Sequence, residues 1–64
     1  MKLKDLPIGE LFTKKQIECP KDTQVFVRGF YDHSSKKYCC TRYSDISDSQ
    51  LISGDKEVFI DFTF

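Results

Sequence analysis

The side chains best suited to bind a metal ion or act as a nucleophile belong to one histidine and three cysteines: His33, Cys19, Cys39 and Cys40. Zinc sites usually take pairs of thiolates that are separated by a few residues of a loop or hairpin. Cys39 and Cys40 are instead adjacent, so in a strand their side chains would point to opposite faces. We therefore expect no metal site. The odd number of cysteines favours free thiols over a disulfide framework.

Other catalytic arrangements are equally hard to assemble. A dyad of His33 with a cysteine would need an enclosed substrate cavity, and so short a chain has little enclosed volume. Neighbouring carboxylates have the spacing of turn residues, at Asp45, Asp48, Asp55 and Glu57. The three glycines lie too far apart for a phosphate-binding loop. The sequence therefore predicts no catalytic residue, no cofactor, no small-molecule substrate and no enzymatic activity.

The chain has 64 residues, enough for a single domain over residues 1–64 and too few for two independent cores. Its residues are 39% hydrophobic and 31% charged, which is typical of a folded domain rather than a disordered segment. No apolar run is long enough to cross a membrane, and the residues after Met1 lack the apolar stretch of a signal peptide. We therefore expect a cytoplasmic protein with no membrane partner.

Charges are unevenly distributed along the chain, although the formal net charge is zero. Residues 1–42 contain nine basic and five acidic residues, whereas residues 43–64 contain one basic and five acidic residues. The two segments thus carry opposite net charges of equal size. Folding could place them on different sides or interleave them in paired strands, and the sequence leaves both arrangements open.

The segments that must position these residues have the composition of β-strands. Residues 24–31 and 37–43 are rich in β-branched and aromatic side chains, and the polar residues 32–36 between them predict a hairpin turn. Gly29 indicates a bulge or a close backbone approach. Alternation places Phe26, Arg28 and Phe30 on one face of the first strand, and the charge of Arg28 makes that face the one expected to meet solvent or a partner.

The remaining segments predict short elements. Residues 57–62 alternate apolar and polar side chains and predict a third strand with Phe59 on its outer face. Residues 44–49 predict a loop or single helical turn, followed by a short strand at 50–52. Pro7 and Gly9 exclude a continuous N-terminal helix, so a bend and a short strand at 10–15 are expected. The sequence thus predicts an all-β, mainly antiparallel fold of four to five short strands with at most one helical turn, either a small barrel or a strongly bent sheet.

Three short patterns resemble those of a group of small bacterial, phage and mobile-element proteins. They are Leu3-x-x-Leu6-x-Ile8-Gly9-x-x-Phe12, Lys37-Tyr38-x-Cys40 and Gly54-Asp55-x-Glu57-Val58. Proteins of this group are commonly SH3-like barrels. The resemblance implies an SH3-like barrel, and it implies no catalytic residue.

Two hypotheses for function follow from the apolar and basic residues. The first is protein–protein interaction or self-association, with a homodimer or another protein as partner, because the apolar faces exceed what one small core can cover. The alternative is binding of single-stranded DNA or RNA by the central hairpin, which combines aromatic and cationic side chains. The expected interaction surface consists of Phe26, Arg28, Phe30, Lys36, Lys37, Arg42, Tyr43 and Phe59. Phe26 and Phe30 are equally compatible with a core or dimer-interface role, and the lysines with a solvated edge.

Overall fold

The computed structural model describes residues 1–64, which form a four-stranded antiparallel sheet in the order β1-β2-β3-β4. The strands are β1 Leu11–Thr13, β2 Val25–Asp32, β3 Lys37–Arg42 and β4 Asp45–Ile52. The all-β prediction is therefore confirmed. Each strand pairs with its neighbour in sequence, so the four strands are joined by simple antiparallel connections.

Two single turns of 3-10 helix, Leu3–Asp5 and Asp22–Gln24, are the helical segments of the chain. The expected number was at most one. The first turn closes with the Leu6 N–H donating to the Leu3 carbonyl at 3.1 Å, and Pro7 follows it directly. Neither turn has the length that a membrane-spanning helix requires.

The hairpin of β2 and β3 contains the bulge that Gly29 predicted. Arg28 pairs with Cys40 and Tyr31 pairs with Tyr38, so two residues of β2 lie opposite one residue of β3. A Cβ atom on Gly29 would lie 2.1 Å from the Cys39 carbonyl oxygen, and this position therefore requires glycine. The prediction that Phe30 shares a face with Phe26 and Arg28 is wrong, because the bulge moves Phe30 to the opposite face and Tyr31 onto the face of Arg28.

At the hairpin turn, the Asp32 carboxylate accepts hydrogen bonds from the backbone N–H and the hydroxyl of Ser34, at 3.1 and 2.8 Å. These bonds favour the charged carboxylate and lower the pKa of Asp32. The Lys36 N–H donates to the Asp32 carbonyl at 2.8 Å. Asp32 therefore begins the turn as its sequence indicated.

The prediction of a loop or helical turn over residues 44–49 is wrong, because strand β4 begins at Asp45. A tight turn brings Asp45 opposite Arg42, and the register then shifts before Thr41 pairs with Ser49. The Asp45 carboxylate accepts bonds from the N–H and hydroxyl of Ser47, at 3.0 and 2.6 Å. The polar residues thus stabilise an irregular start of the strand rather than a separate loop.

The predicted strand over 57–62 is also wrong in its extent, because that segment forms two isolated bridges instead of a ladder. Glu57 bridges Lys2, and Phe59 bridges Thr13. Thr13 and Phe59 exchange N–H to carbonyl bonds of 2.9 and 3.0 Å. The segment changes partner from the N-terminus to β1, so no continuous strand forms. It covers the β1 edge of the sheet.

The core lies against one face of the sheet and contains seven buried residues: Leu3, Leu6, Phe12, Phe26, Cys40, Ile52 and Val58. The rings of Phe12 and Phe26 are stacked, with centroids 5.9 Å apart. The expectation that the Phe26 and Arg28 face meets solvent is therefore wrong. The N-terminal residues Leu3 and Leu6 cover that face, and alternation within β2 alone cannot show which face is covered.

Candidate interaction surface

The structure distributes the predicted interaction residues over several places instead of one surface. Phe26 is 5% exposed and belongs to the core. Arg28 is half-buried, and its guanidinium carbon lies 4.3 Å from the centre of the Tyr38 ring. Its Nη1 donates to the Gly29 carbonyl at 2.7 Å, while its Nε is buried without a partner. Neither side chain is available as the exposed base-stacking surface that the hairpin hypothesis described.

Arg42 is neutralised by contacts within the chain. Its Nε donates to the Asp48 carboxylate at 2.6 Å, and its Nη1 donates to the Thr23 carbonyl. The guanidinium carbon also lies 5.1 Å from the centre of the Phe26 ring, and Lys14 Nζ lies 4.6 Å from the same centre. These two cations cover an edge of the core. Asp48, interpreted from sequence as a turn residue, is the ionic partner of Arg42.

The other predicted residues are more accessible but lie apart. Lys36 and Lys37 are exposed at the β2–β3 turn. Tyr43 meets Phe64 edge to face, with ring centroids 4.9 Å apart. Phe59 is half-buried beside β1, where its backbone bridges Thr13. Phe30 is 64% exposed and is the member of the predicted set that presents a large apolar ring to solvent within the sheet.

Phe30 belongs to a surface formed by the sheet face opposite the core, which we call the outer face. Strand registers place Val27 opposite Leu11 and Thr41, and Cys39 opposite Leu51. Because the core-facing residues alternate with these, the outer face collects side chains from all four strands. Its accessible part consists of Leu11, Val27, Phe30, Cys39, Thr41, Ser49 and Leu51, while Thr13 and Val25 at one end of the same face are fully buried.

The seven residues of this accessible part are uncharged, and the same alternation adds Asp32 and Lys37 to the end of the face beside the β2–β3 turn. Phe30 and Leu51 are its most accessible apolar members, at 64% and 48% exposure. Asp32 and Lys37 pair directly across the hairpin at one end, so charges of both signs lie at the rim. Sequence reasoning identified Phe30 but missed Leu11, Cys39 and Leu51, which become neighbours only through the strand register.

The three thiols differ in environment. Cys19 is exposed, Cys39 is half-buried on the outer face and Cys40 is buried in the core, and all three are free. Burial raises the pKa of the Cys40 thiol. No group of three or more histidine, cysteine, aspartate or glutamate side chains lies close enough together to hold a metal ion.

These environments predict an order of alkylation by iodoacetamide at neutral pH. Cys19 should react first and Cys39 more slowly, while Cys40 should react only when the chain unfolds, because the attacking species is an exposed thiolate. Mass spectrometry of timed samples, with a denatured sample as control, measures the order. Labelling of Cys40 in the folded protein at the rate of Cys19 would contradict the core position of Cys40.

No protein-family model, curated protein or solved structure matches this chain.

Proposed function

We propose that this chain is a non-enzymatic binding module that associates with a second copy of itself through the outer face. The observation that carries this proposal is the apolar central part of the outer face, which four neighbouring strands form and which is centred on Phe30 and Leu51. Exposed apolar surface of this kind, rimmed by polar residues, is typical of interaction sites. Burial of Phe30 and Leu51 against a partner would remove their apolar area from water and stabilise the complex.

A second copy is the occupant that the charges favour. The formal net charge is zero, so two molecules do not repel each other as a whole. The charges on the outer face, Asp32 and Lys37, are opposite in sign, so two such faces can meet without bringing like charges together. At the rim, Asp32 and Lys37 are adjacent and opposite in sign, so a two-fold arrangement could pair each with its counterpart in the other molecule.

The expected complex is weak, because the outer face is small. Four strands spaced about 4.8 Å apart give a face roughly 14 Å wide. A standard stable interface buries about 800 Å² on each partner, which would be a large fraction of the 4297 Å² surface of this chain. We therefore expect a dissociation constant in the micromolar to millimolar range, as for transient complexes.

Sedimentation equilibrium tests the proposal directly. The wild-type chain should shift from monomer to dimer with rising concentration, and Phe30→Ser should weaken the dimer by about 30-fold, equivalent to about 2 kcal/mol for a central aromatic residue. Phe64→Ser is the matched control, because Phe64 is 53% exposed and lies at the C-terminus against Tyr43. This control variant should associate like the wild type.

A monomer that persists to millimolar concentration would overturn self-association. If Phe30→Ser and Phe64→Ser weakened the dimer equally, the dimer would form elsewhere than the outer face. Circular dichroism of both variants should confirm that each is folded, since exposed side chains contribute little to stability. If the wild type bound a different protein and Phe30→Ser did not, the outer face would still be the binding surface. Its partner would then be that protein instead of a second copy of the chain.

A further inference from the structure

A groove of about 250 Å³ lies between the β2–β3 turn and the turn that follows β4. It is separate from the outer face, because its tyrosines pair on the core-facing side of the hairpin. Two tyrosines, two lysines and two smaller polar residues line it: Tyr31, Tyr38, Lys4, Lys36, Ser53 and Asp55. A concave surface that combines aromatic rings with cations is suited to a planar anionic ligand.

Contacts on several sides hold the aromatic part of the groove in place. Tyr31 and Tyr38 meet edge to face with centroids 4.9 Å apart, and His33 meets Tyr31 in the same manner at 4.8 Å. The Tyr38 ring lies under the Arg28 guanidinium and against Gly54, where an added Cβ would be 2.8 Å from Tyr38 Cε2. Tyr38 is therefore a fixed wall, and the half-buried Tyr31 is the ring that a ligand could contact.

The charge of the groove favours an anion. Lys4 Nζ lies 3.4 Å from the Asp55 carboxylate, but both side chains are at least half exposed, so solvent screens this pair strongly. Lys36 takes part in none of the ion pairs of the chain. Arg28 adds a third positive charge behind Tyr38. The lining itself holds two lysines and one carboxylate, which leaves a net positive charge at the groove.

Lys36 has an unusual backbone conformation for a lysine. Its φ is 58°, and it is the sole non-glycine residue with positive φ in the chain. A residue with a Cβ is disfavoured in this left-handed region, which glycine occupies without that penalty. Strain of this kind concentrates at functional sites. A lysine at a turn position that suits glycine indicates a role for its side chain.

We propose that the groove binds a nucleotide unit, with its base against Tyr31 and its phosphate at Lys36. A base supplies the flat aromatic surface that stacks on tyrosine, and a phosphate supplies the anion that lysine attracts. The ligand class is the one that the sequence indicated as the alternative, single-stranded nucleic acid. The proposed binding site is different, because it does not include Phe26 or Arg42. A free nucleotide has the same chemistry and is the other source of the ligand.

Fluorescence anisotropy with a labelled single-stranded thymidine oligonucleotide, at low and rising salt, tests the site. The wild-type chain should bind, and Tyr31→Leu should weaken binding by about tenfold without changing the salt dependence, since stacking releases no ions. Lys36→Gln should weaken binding and lower the slope of log affinity against log salt by about 0.7, the value for one phosphate contact on a single strand. Competition with thymidine monophosphate separates the two ligand sources.

Lys21→Gln is the matched charge control, because Lys21 lies before the start of β2 and so at the opposite end of that strand from Lys36. It should leave affinity and salt slope close to the wild-type values. Lys36→Gly separates binding from folding: it should raise the Tm, by roughly 4–8 °C for a domain of this size, because glycine relieves the positive φ, and still lose affinity. Phe30→Ser should bind the oligonucleotide normally, so failure of the dimer would leave this site intact.

Three results would overturn the nucleotide site. One is no binding of either probe at low salt by the folded chain. Another is equal loss of affinity in Lys21→Gln and Lys36→Gln, which would indicate attraction without a defined site. The third is full affinity in Tyr31→Leu, because the base would then have no contact with the groove.

Discussion

Replacing Gly29 with alanine is expected to prevent the chain from forming its native sheet. The added Cβ would lie 2.1 Å from the Cys39 carbonyl oxygen and 3.2 Å from its carbonyl carbon, both of which belong to the backbone of β3. No side-chain rotation can relieve this contact, so β2 and β3 must separate or change register. We expect a loss of at least 3 kcal/mol, against a total stability of about 3–10 kcal/mol for a domain of this size.

Urea unfolding followed by circular dichroism measures this effect, with Gly9→Ala as the matched control. Gly9 has no atom within 4 Å of an added Cβ, but its φ is +89°. Alanine there should cost about 1–2 kcal/mol from backbone strain alone and leave the chain folded. If the two variants unfolded at the same urea concentration, the close approach of β2 to Cys39 would be refuted.

The second large effect is expected for Phe26→Ser. Phe26 is 5% exposed and stacks on Phe12 in the core, so its removal leaves a cavity and places a hydroxyl among apolar side chains. Loss of a buried phenylalanine costs about 3–5 kcal/mol, a large part of the total stability, so we expect the urea midpoint of unfolding to fall steeply. If Phe26 were exposed, the substitution would instead change assembly without unfolding the chain.

Phe30→Ser provides the comparison within the same strand. Phe30 lies on the outer face, so this variant should keep its unfolding midpoint close to the wild-type value while its self-association weakens. Near-ultraviolet circular dichroism and urea titration distinguish the two variants. Equal destabilisation by both would contradict the assignment of the two phenylalanines to opposite faces.

The two adjacent cysteines differ in accessibility because only one of them lies on the outer face. Cys39 and Cys40 are adjacent, and strand alternation separates them, as the sequence indicated. Cys40 joins the core, whereas Cys39 lies beside Leu51 on the outer face. A dimer through that face would therefore slow alkylation of Cys39 at high protein concentration, which links the order of thiol labelling to the proposed association.

Parts of the candidate site were predictable because they depend on local sequence. The β2–β3 hairpin, its turn at Asp32 and the bulge at Gly29 follow from residue type, and so does the exposure of Lys36 at the turn. The groove was not predictable. Lys4 and Ser53 reach the hairpin tyrosines only after the ends of the chain pack against the sheet, and nothing in their local sequence indicates that contact.

The sequence by itself determined the all-β class and the position of the central hairpin, since these depend on backbone preferences of neighbouring residues. Gly29 indicated a bulge or a close approach, but the contact with the Cys39 carbonyl that excludes a Cβ depends on the pairing of β2 with β3. The tertiary structure decided which face of β2 is buried. Both faces carry apolar side chains, and the choice depends on Leu3 and Leu6, which cover the Phe26 face from a distant part of the chain. It also decided that residues 57–62 form bridges and that Asp45–Ile52 forms a strand, because pairing depends on partners far away in sequence.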